Sequence, residues 1–341
     1  MKNIQIITDS SADLSKELVE KYGIEVVPFY VSFSEETYLK EGEEISQKNF
    51  YDQLVSSEAN PKTACPSIDD YYTRFEKAVK ENLSVICFTL SQKFSGSFQS
   101  AVNAKNMILE DYANAKVEIV DSLSATGGQG LLVLECCKMA ENNLDFEEIC
   151  QRSKILATTS GILFTVDDLK FLQRGGRIGK ASALAGKLLN IKPLIKLDDG
   201  ELLPEGKVKG RKKAILEIEH GISKKIKNVK EFSFAKLSFF ENESPDDLRL
   251  DEGANYIKLN IGATIGAHTG PTAIGIAYIR NYNDDFVDKL VIKEEKQAMK
   301  ENKKIEKLEK KIEKLETAAC CWWARASCGP SWKPRPPGWA L

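Results

Sequence analysis

The chain has 341 residues, of which 42% are apolar and 29% charged, and its 48 basic and 50 acidic side chains give a formal net charge of −2. This balance lacks the basic excess that nucleic-acid binders normally carry, so no nucleic-acid partner is expected. The sequence shows neither a charged-then-apolar leader nor a run of 18 apolar residues. We therefore expect a cytoplasmic protein without stable membrane insertion, and transient membrane contact stays open.

The first half of the sequence alternates between strand and helix patterns. Apolar strands are predicted at 3–8, 25–33, 84–90 and 116–120, and helices at 15–22, 47–56, 68–81, 130–141 and directly after Ser95. Pro28 lies inside the second strand and indicates an edge or a bend. Strands interleaved with helices of this length predict an α/β lobe over residues 1–160, with a mainly parallel sheet covered on both faces.

After about residue 160 the pattern changes. A strand is predicted at 161–166, followed by short helical stretches near 169–176 and 182–190 and by a helix at 212–225. Asp199-Gly200 between two strand-like arms is a strong hairpin signal. Further strands are predicted at 232–240, 256–262 and 272–280. We expect a C-terminal α+β lobe over residues 161–283 with antiparallel pairing.

The C-terminal segment differs from both lobes. Residues 284–316 are predicted to form a charged helical extension, and within 293–316 an apolar seam recurs at Ile305, Leu308, Ile312 and Leu315. Two heptads are short for a coiled coil, so a monomer with a solvated helix is expected and a dimer through 293–316 stays open. Residues 317–341 are rich in Trp, Cys and Pro without periodicity, and are interpreted as an irregular tail that is not native structure.

Cysteine and histidine usage argues against a metal site. Five cysteines outside the tail are scattered without the CxxC spacing of zinc ligands: Cys65, Cys87, Cys136, Cys137 and Cys150. The chain has two histidines, His220 in a charged helical stretch and His268 among glycines. We expect reduced thiols, no metal and no cofactor.

The hydroxyl-rich turn SQKFSGSFQSA at 91–101 is the first candidate site, because it links a buried strand to a helix. Free N–H groups of the helix's first turn beside Ser95 and Ser97 favour a carboxylate or phosphate. Capping of the helix by one serine is the structural alternative. A nucleophile would need a G-x-S-x-G elbow, and Lys93 and Ser97 occupy the glycine positions.

Other polar turns repeat this theme. Residues 8–11, 63–67 and 121–122 also follow or precede regular elements, and Ser67 with Asp70 resembles a capping box. Singly each is interpreted as a cap, but together they could line one rim of a sheet. His268 lies in a glycine-rich stretch, 262–270, that predicts a tight turn, where it is either a structural residue or a ligand contact.

Two basic stretches complete the candidates. Arg174 and Arg177 flank a glycine pair, and Arg211 lies in the lysine-rich stretch 207–213. Arginine in a glycine-rich turn suits phosphate, carboxylate or an acidic partner surface, whereas a solvated face is the alternative. Because acid–base pairs, metal ligand sets and phosphate-binding loops are missing from these patterns, the sequence favours a binding protein over a catalyst.

Seven motifs occur in a characteristic order between residue 1 and about residue 283: ITDSSADL (7–14), KTACPS (62–67), SQKFSGSFQSA (91–101), VDSLSATGGQGLLV (120–133), LKFLQRGGRI (169–178), KVKGRKKAI (207–215) and IGAHTGPTAIGI (265–276). In these motifs the sequence resembles the DegV family of bacterial fatty-acid-binding proteins, which serve as the lipid-carrying subunit of fatty acid kinase. It departs mildly at Ala64-Cys65, where the family often has Ser-Gln, and at Ser97, where Thr is common.

The resemblance implies a two-lobed α/β fold with a buried acyl tunnel and the fatty acid's carboxylate held at the lobe junction. By motif position it implies that Ser95 and Gly96 contact the carboxylate, and that Thr63 and His268 complete the hydrogen-bond network. Neutral hydroxyls and one histidine then satisfy the buried carboxylate, while affinity comes from the tail.

For the three arginines the resemblance implies contacts near the tunnel entrance with a kinase partner or acyl phosphate: Arg174, Arg177 and Arg211. The expected protein is a non-catalytic subunit that presents a long-chain fatty acid to a fatty acid kinase for acyl-phosphate formation and phospholipid synthesis. The alternative is a hydrolase or acyltransferase using Ser95 and His268, with Asp9 or Asp121 as a third group. A sensor module acting through the charged C-terminal helix is a further alternative.

Overall fold

The computed structural model describes residues 3–293 except 35, 57–59, 168, 186–189, 239–247, 284 and 286, together with 296, 308 and 312. The chain divides by its contacts into two units, Met1–Val287 and Asp288–Leu341. The predicted seam in 293–316 and the tail 317–341 lie outside the described residues apart from 293, 296, 308 and 312. The division of the first unit at residue 160 stays a prediction.

The N-terminal part of the first unit alternates strands and helices: β1 (Ile4–Asp9), α1 (Lys16–Tyr22), β2 (Glu25–Val27), β3 (Tyr30–Ser32), β4 (Leu39–Lys40), α2 (Gln47–Ser56), β5 (Lys62–Ala64), α3 (Ile68–Lys80), β6 (Ser84–Thr89), α4 (Ser97–Asp111), β7 (Val117–Asp121), α5 (Thr126–Glu141) and α6 (Phe146–Ala157). Four strands form a parallel sheet in the order β2-β1-β6-β7. The short strands β3, β4 and β5 form a separate antiparallel sheet.

The C-terminal part of the same unit consists of β8 (Gly161–Thr165), α7 (Lys170–Arg174), β9 (Ile191–Asp198), β10 (Glu201–Lys209), α8 (Arg211–Lys225), β11 (Phe232–Ser238), β12 (Asn255–Asn260), α9 (Ala263–Thr269) and β13 (Ile274–Arg280). Its six-stranded sheet has the order β10-β9-β8-β13-β11-β12 and is antiparallel except for the β11–β12 pair. The α/β fold class, with a parallel sheet and a second α+β lobe, is thereby confirmed.

Helix α5 packs on β1 and β6 of the parallel sheet and also on β11 and β13 of the six-stranded sheet. It is apolar on nearly every side, as expected of a helix buried all round. Glycine is required where neighbouring residues approach it closely: a Cβ at Gly127 would lie 2.5 Å from Leu237 Cδ2 on β11, and one at Gly130 would lie 2.7 Å from the carbonyl oxygen of Ala12 in the turn after β1. The two lobes therefore share this central helix.

Local sequence signals explain several boundaries. Ser67 Oγ accepts a hydrogen bond from Asp70 N–H at 3.1 Å, and Asp70 Oδ2 accepts one from Ser67 N–H at 2.8 Å, so the predicted capping box is confirmed at the start of α3. The hairpin predicted at Asp199-Gly200 is also confirmed, with positive φ at both residues.

Four predicted elements need correction. The strand predicted at 25–33 is two strands in different sheets, because Pro28 between them has no N–H for a ladder. The helix predicted at 130–141 begins at Thr126, and the turn predicted at 262–270 is largely the helix α9. Residues 182–184 of the helical stretch predicted near 182–190 belong to a 3₁₀ helix, Gly179–Leu184, and residues 186–189 lie outside the described residues.

Candidate functional site

A cavity of about 350 Å³ lies between the two lobes, within the first unit. Loops after β6 and β7 and the strand β5 contribute one side, and α9 with strands of the six-stranded sheet contributes the other. Most of its wall is aliphatic or aromatic, and includes Phe29, Leu90, Phe164, Leu197, Leu237 and Ile274. The volume is typical of small-molecule sites, and the composition suits an apolar ligand.

Thr63 and His268, which are 205 residues apart in sequence, meet in the wall of this cavity. Thr63 Oγ1 and His268 Nε2 are hydrogen-bonded at 2.8 Å, with Thr63 on β5 and His268 near the end of α9. Burial, assisted by the positive charge of Arg177, lowers the pKa of His268 from 6.5 to about 4. The imidazole is therefore neutral near pH 7 and carries one proton.

The Arg174–Arg177 loop packs directly against this imidazole. His268 Nδ1 is buried, has no hydrogen-bond partner among the described residues, and would lie 2.1 Å from a Cβ at Gly175. A proton on Nδ1 would therefore be a buried donor without an acceptor. We assign the proton to Nε2, which then donates to Thr63 Oγ1.

Ser95 and Ser97, in the serine-rich segment after β6, have different environments. Ser95 is half-buried in the cavity wall, Gly96 beside it is exposed, and Ser95 Oγ accepts from Ser97 N–H at 3.1 Å. Ser97 is fully buried, donates from Oγ to Asp9 Oδ2 at 2.7 Å and shares a 2.6 Å hydrogen bond with Tyr71. Ser97 is thus structural, whereas Ser95 faces the cavity and keeps its own proton for a further acceptor.

The three predicted arginines have different partners, and only one of them lines the cavity. Arg177 lines the cavity, is exposed, and donates from Nε to the Phe94 carbonyl at 3.2 Å and from Nη1 to the Gly175 carbonyl at 2.6 Å. Arg174 donates to Asn60 Oδ1 at 2.6 Å, and the Arg211 guanidinium lies 3.8 Å from Asp167 Oδ1. Of the three, Arg177 alone is in the cavity wall.

A buried acidic pair near the cavity was not anticipated from the sequence. Glu41 accepts hydrogen bonds from Ser10 Oγ at 2.6 Å and from the Thr264 N–H and hydroxyl at 3.0 and 2.7 Å. Asp13 Oδ1 and Glu41 Oε1 both lie within 2.6 Å of the position that a Cβ at Gly262 would occupy. Burial and the neighbouring Glu41 raise the pKa of Asp13 well above its ordinary value, and burial also raises that of Glu41.

Further polar residues of the wall were not named as ligand contacts from the sequence: Cys65, Thr126, Thr264 and Thr269. Thr126 has a φ of 44°, rare for a β-branched residue, at the first position of α5. Pairing between residues as distant as Glu41 and Thr264 leaves no local signal. The polar turn ITDSSADL, which contains Asp13, was the one available pointer.

Three further observations concern the thiols, metal ligands and helix hydropathy of the described residues. The five cysteines outside the tail are free thiols. Within the described ranges, no group of three or more His, Cys, Asp and Glu side chains could hold a metal ion. A search of the same residues found no helix with the length and apolarity needed to cross a membrane.

The fold and the cavity define a class: two-lobed α/β proteins with an apolar cavity that carries hydroxyl groups and one imidazole. The chain belongs to the DegV family, because the family model described as "uncharacterised protein, DegV family" matches residues 3–281. A DegV domain-containing protein of Clostridium perfringens is 35% identical over 285 residues, which cover 81% of this chain and 99% of that protein.

Solved structures of similar proteins carry the same fold. A stearic acid-binding protein from Eubacterium ventriosum has a TM-score of 0.73 and 35% identity, covering 82% of this chain and 99% of its own. A DegV family protein from Thermus thermophilus, described for its fatty acid binding, has a TM-score of 0.72 and 29% identity with the same coverage. DegV from Bacillus subtilis, described as a fatty acid binding protein, has a TM-score of 0.69 and 28% identity, again with the same coverage.

Proposed function

We propose that this protein binds one long-chain fatty acid, with the acyl chain in the cavity and the carboxylate at Thr63, Ser95, Gly96 and His268. The observation that carries the proposal is the cavity itself, because its mostly apolar wall also contains a hydroxyl–imidazole pair. The fatty-acid-binding relatives with the same fold support it.

The acyl chain supplies most of the affinity. Each buried CH₂ contributes roughly 0.8 kcal/mol, so a long-chain acid gains far more from its tail than from any headgroup contact. The headgroup contacts have a different task, since an unpaired carboxylate inside the protein would cost several kcal/mol, on the order of the desolvation penalty of an ion. The apolar part of the cavity therefore selects the length of the acyl chain, and its polar residues recognise the carboxylate.

The polar residues of the cavity can satisfy a carboxylate without acid–base chemistry. With the His268 proton on Nε2 and donated to Thr63, the Thr63 hydroxyl proton is free to donate to a ligand oxygen. Ser95 accepts from Ser97 N–H and likewise keeps its own proton to donate. Arg177 adds positive charge in the cavity wall, which favours an anionic headgroup over a neutral one.

The finer part of the proposal is presentation of the carboxylate to a fatty acid kinase for acyl-phosphate formation. Exposure of Gly96 and Arg177 supports it, because both lie in the cavity wall and are accessible to a second protein. Arg177 suits an acyl phosphate as well as a carboxylate. With the nucleotide and its chemistry on the partner, this chain acts as a non-catalytic carrier subunit.

The hydrolase alternative has less support. A serine nucleophile needs a base within hydrogen-bond reach of its hydroxyl. The His268 Nε2 atom is paired with Thr63 Oγ1, and Ser95 Oγ is oriented by the Ser97 N–H. The imidazole thus supports the hydroxyl of Thr63 and not that of Ser95.

Native mass spectrometry of the purified protein, followed by lipid extraction, tests the binding proposal. We expect a bound mass that matches a long-chain fatty acid and is reduced in Ser95→Ala and His268→Ala. Ser100→Ala is the matched control, because Ser100 lies on the same helix α4 outside the cavity wall and should keep the lipid. A wild-type protein that is empty and also refuses added stearate would contradict the proposal.

The kinase step is tested with a purified fatty acid kinase catalytic subunit, ATP and stearate-loaded protein. Acyl-phosphate formation should fall in Arg177→Ala at stearate concentrations that keep the variant fully loaded. Lys180→Ala is the control, because Lys180 is an exposed cation of the same segment whose Nζ is paired with Glu201 at 2.6 Å. Equal rates for the wild type and Arg177→Ala would remove Arg177 from this role.

A further inference from the structure

The six-residue loop 91–96, which carries Ser95 and Gly96, is attached at both ends to one atom. Leu90, directly before the loop, donates its N–H to Asp9 Oδ2 at 2.9 Å. Ser97, directly after it, donates its hydroxyl to the same oxygen at 2.7 Å. The separation of the two loop ends is therefore set by a single carboxylate oxygen at the end of β1.

Asp9 is itself held in place by separate partners. Its second oxygen, Oδ1, accepts from Ser11 Oγ at 2.6 Å and from Gln129 Nε2 at 2.8 Å. The residue is fully buried, and these groups come from the turn after β1 and from the central helix α5. The carboxylate is thus held in place at the end of β1, where both ends of the loop bind it.

Ser97 connects the Asp9 carboxylate to the cavity wall. The Ser97 hydroxyl binds Asp9, while the Ser97 N–H donates to Ser95 Oγ at 3.1 Å. Loss of the Asp9 contact would let the first turn of α4 shift, and the Ser95 hydroxyl would shift with it. The neighbouring Gly96 N–H would move in the same way.

We propose that Asp9 is a positioning residue for carboxylate recognition, which fixes Ser95 and Gly96 by binding both ends of their loop without touching the ligand. The inference rests on the proposed carboxylate site at these two residues. A carboxylate is the fitting side chain for this place, because both of its oxygens accept hydrogen bonds from N–H groups that can only donate, those of Leu90 and Gln129.

The test uses Ser97→Ala, which removes the loop's side of the contact and leaves the buried carboxylate in place. Ser11→Ala is the matched control, because Ser11 is also fully buried and donates to Asp9 at nearly the same distance, but does not adjoin the loop. In this variant Gln129 still donates to the same carboxylate oxygen, Oδ1, and both contacts of Oδ2 with the loop ends remain. Ser97→Thr is the rescue variant, since it keeps the hydroxyl. Affinities for stearate and for 1-octadecanol, an equally long ligand without the carboxylate, are measured for all four proteins.

We expect the wild-type preference for stearate over 1-octadecanol to fall about tenfold in Ser97→Ala, which equals the loss of one hydrogen bond to a charged group. The affinity of Ser97→Ala for 1-octadecanol should stay within about twofold of the wild-type value, because the hydrocarbon tail supplies most of its binding energy. Ser97→Thr should restore the preference. Ser11→Ala should lower the melting temperature about as much as Ser97→Ala, with the preference intact.

Two results overturn the inference while leaving fatty acid binding intact: an unchanged preference in Ser97→Ala, or an equal loss in Ser97→Ala and Ser11→Ala. The second would mean that the network supports the fold in general. A wild-type protein that binds neither ligand, or binds both equally, overturns the proposed carboxylate site and this inference with it.

Discussion

The buried imidazole of His268 makes the stability of the ligand-free protein sensitive to mild acid. Its pKa is about 4 in the folded chain and 6.5 as the ordinary value, because burial and Arg177 disfavour the charged form. The folded state thus binds fewer protons than the unfolded state between these values. The contribution of the neutral His268 imidazole to the free energy of unfolding is complete above pH 6.5 and is lost as the pH falls towards 4.

The size of this effect follows from the pKa difference. Each pKa unit corresponds to about 1.36 kcal/mol, so the full loss below pH 4 is about 3.4 kcal/mol. Somewhat more than half of it, about 2 kcal/mol, falls between pH 7 and pH 5. For a chain of this length that change lowers the melting temperature by about 3 °C.

Urea unfolding of the ligand-free wild type and of His268→Gln, each at pH 7 and pH 5, isolates this contribution. The variant is needed because the buried carboxyls of Asp9, Asp13 and Glu41 have raised pKa values and gain stability as the pH falls. Gln keeps an N–H₂ donor for Thr63 without titrating. The free-energy difference between the wild type and the variant should change by about 2 kcal/mol between the two pH values, to the disadvantage of the wild type.

The same pH dependence of the unfolding free energy in the wild type and in His268→Gln would refute the reasoning, since it would mean that His268 titrates near its ordinary value. The ligand provides a second check. A bound carboxylate beside the imidazole favours the imidazolium, so saturating stearate should flatten the wild-type slope and leave that of His268→Gln unchanged. If stearate does not change the pH dependence of the wild-type unfolding free energy, His268 does not belong to the proposed carboxylate site.

Three further substitutions give independent tests. Gly175→Ala should displace the His268 ring, because the new Cβ would lie 2.1 Å from Nδ1, and stearate affinity measured by calorimetry should fall at least tenfold, the equivalent of about 1.4 kcal/mol. Asp13→Asn should raise the melting temperature at pH 8 more than at pH 5, because it removes a buried carboxyl that ionises beside Glu41 as the pH rises, and Asn tolerates the φ of 55°. Ser67→Ala should cost about 1 kcal/mol in urea unfolding, through loss of the α3 cap, without changing stearate affinity.

Regular elements were predictable wherever the local pattern was strong. The strand β6, the hairpin β9–β10 and the capped helix α3 all follow from periodicity, turn residues or capping. The predictions failed where tertiary packing decides. Helix α5 begins at Thr126 although its first residues include glycines, whose helix propensity is low. Gly127 fits closely against β11 and Gly130 against the turn after β1, and the sequence pattern does not show these tertiary contacts.

The candidate site was partly predictable, since hydroxyl-rich turns at strand ends indicated one rim of the sheet, and the family resemblance supplied His268. The pairing of Thr63 with His268 could not be derived, because β5 and α9 were not anticipated as regular elements and lie 205 residues apart at this contact. The acidic pair Asp13–Glu41 could not be derived for the same reason, because the two residues belong to different segments that meet only in the folded chain.

The loop 91–96 shows how neighbouring residues of one type acquire different roles. Ser95 and Ser97 are two positions apart and chemically identical, yet one is half-buried in a cavity and the other is fully buried against a carboxylate. The backbone at the start of α4 separates them, because the Ser95 side chain lies in the cavity wall and the Ser97 side chain points to Asp9 at the end of β1. In the proposed carboxylate site, the hydroxyl that would bind the ligand and the hydroxyl that would position it are therefore two residues apart. It follows that Ser95→Ala should lower carboxylate affinity with little effect on stability, whereas Ser97→Ala should lower both.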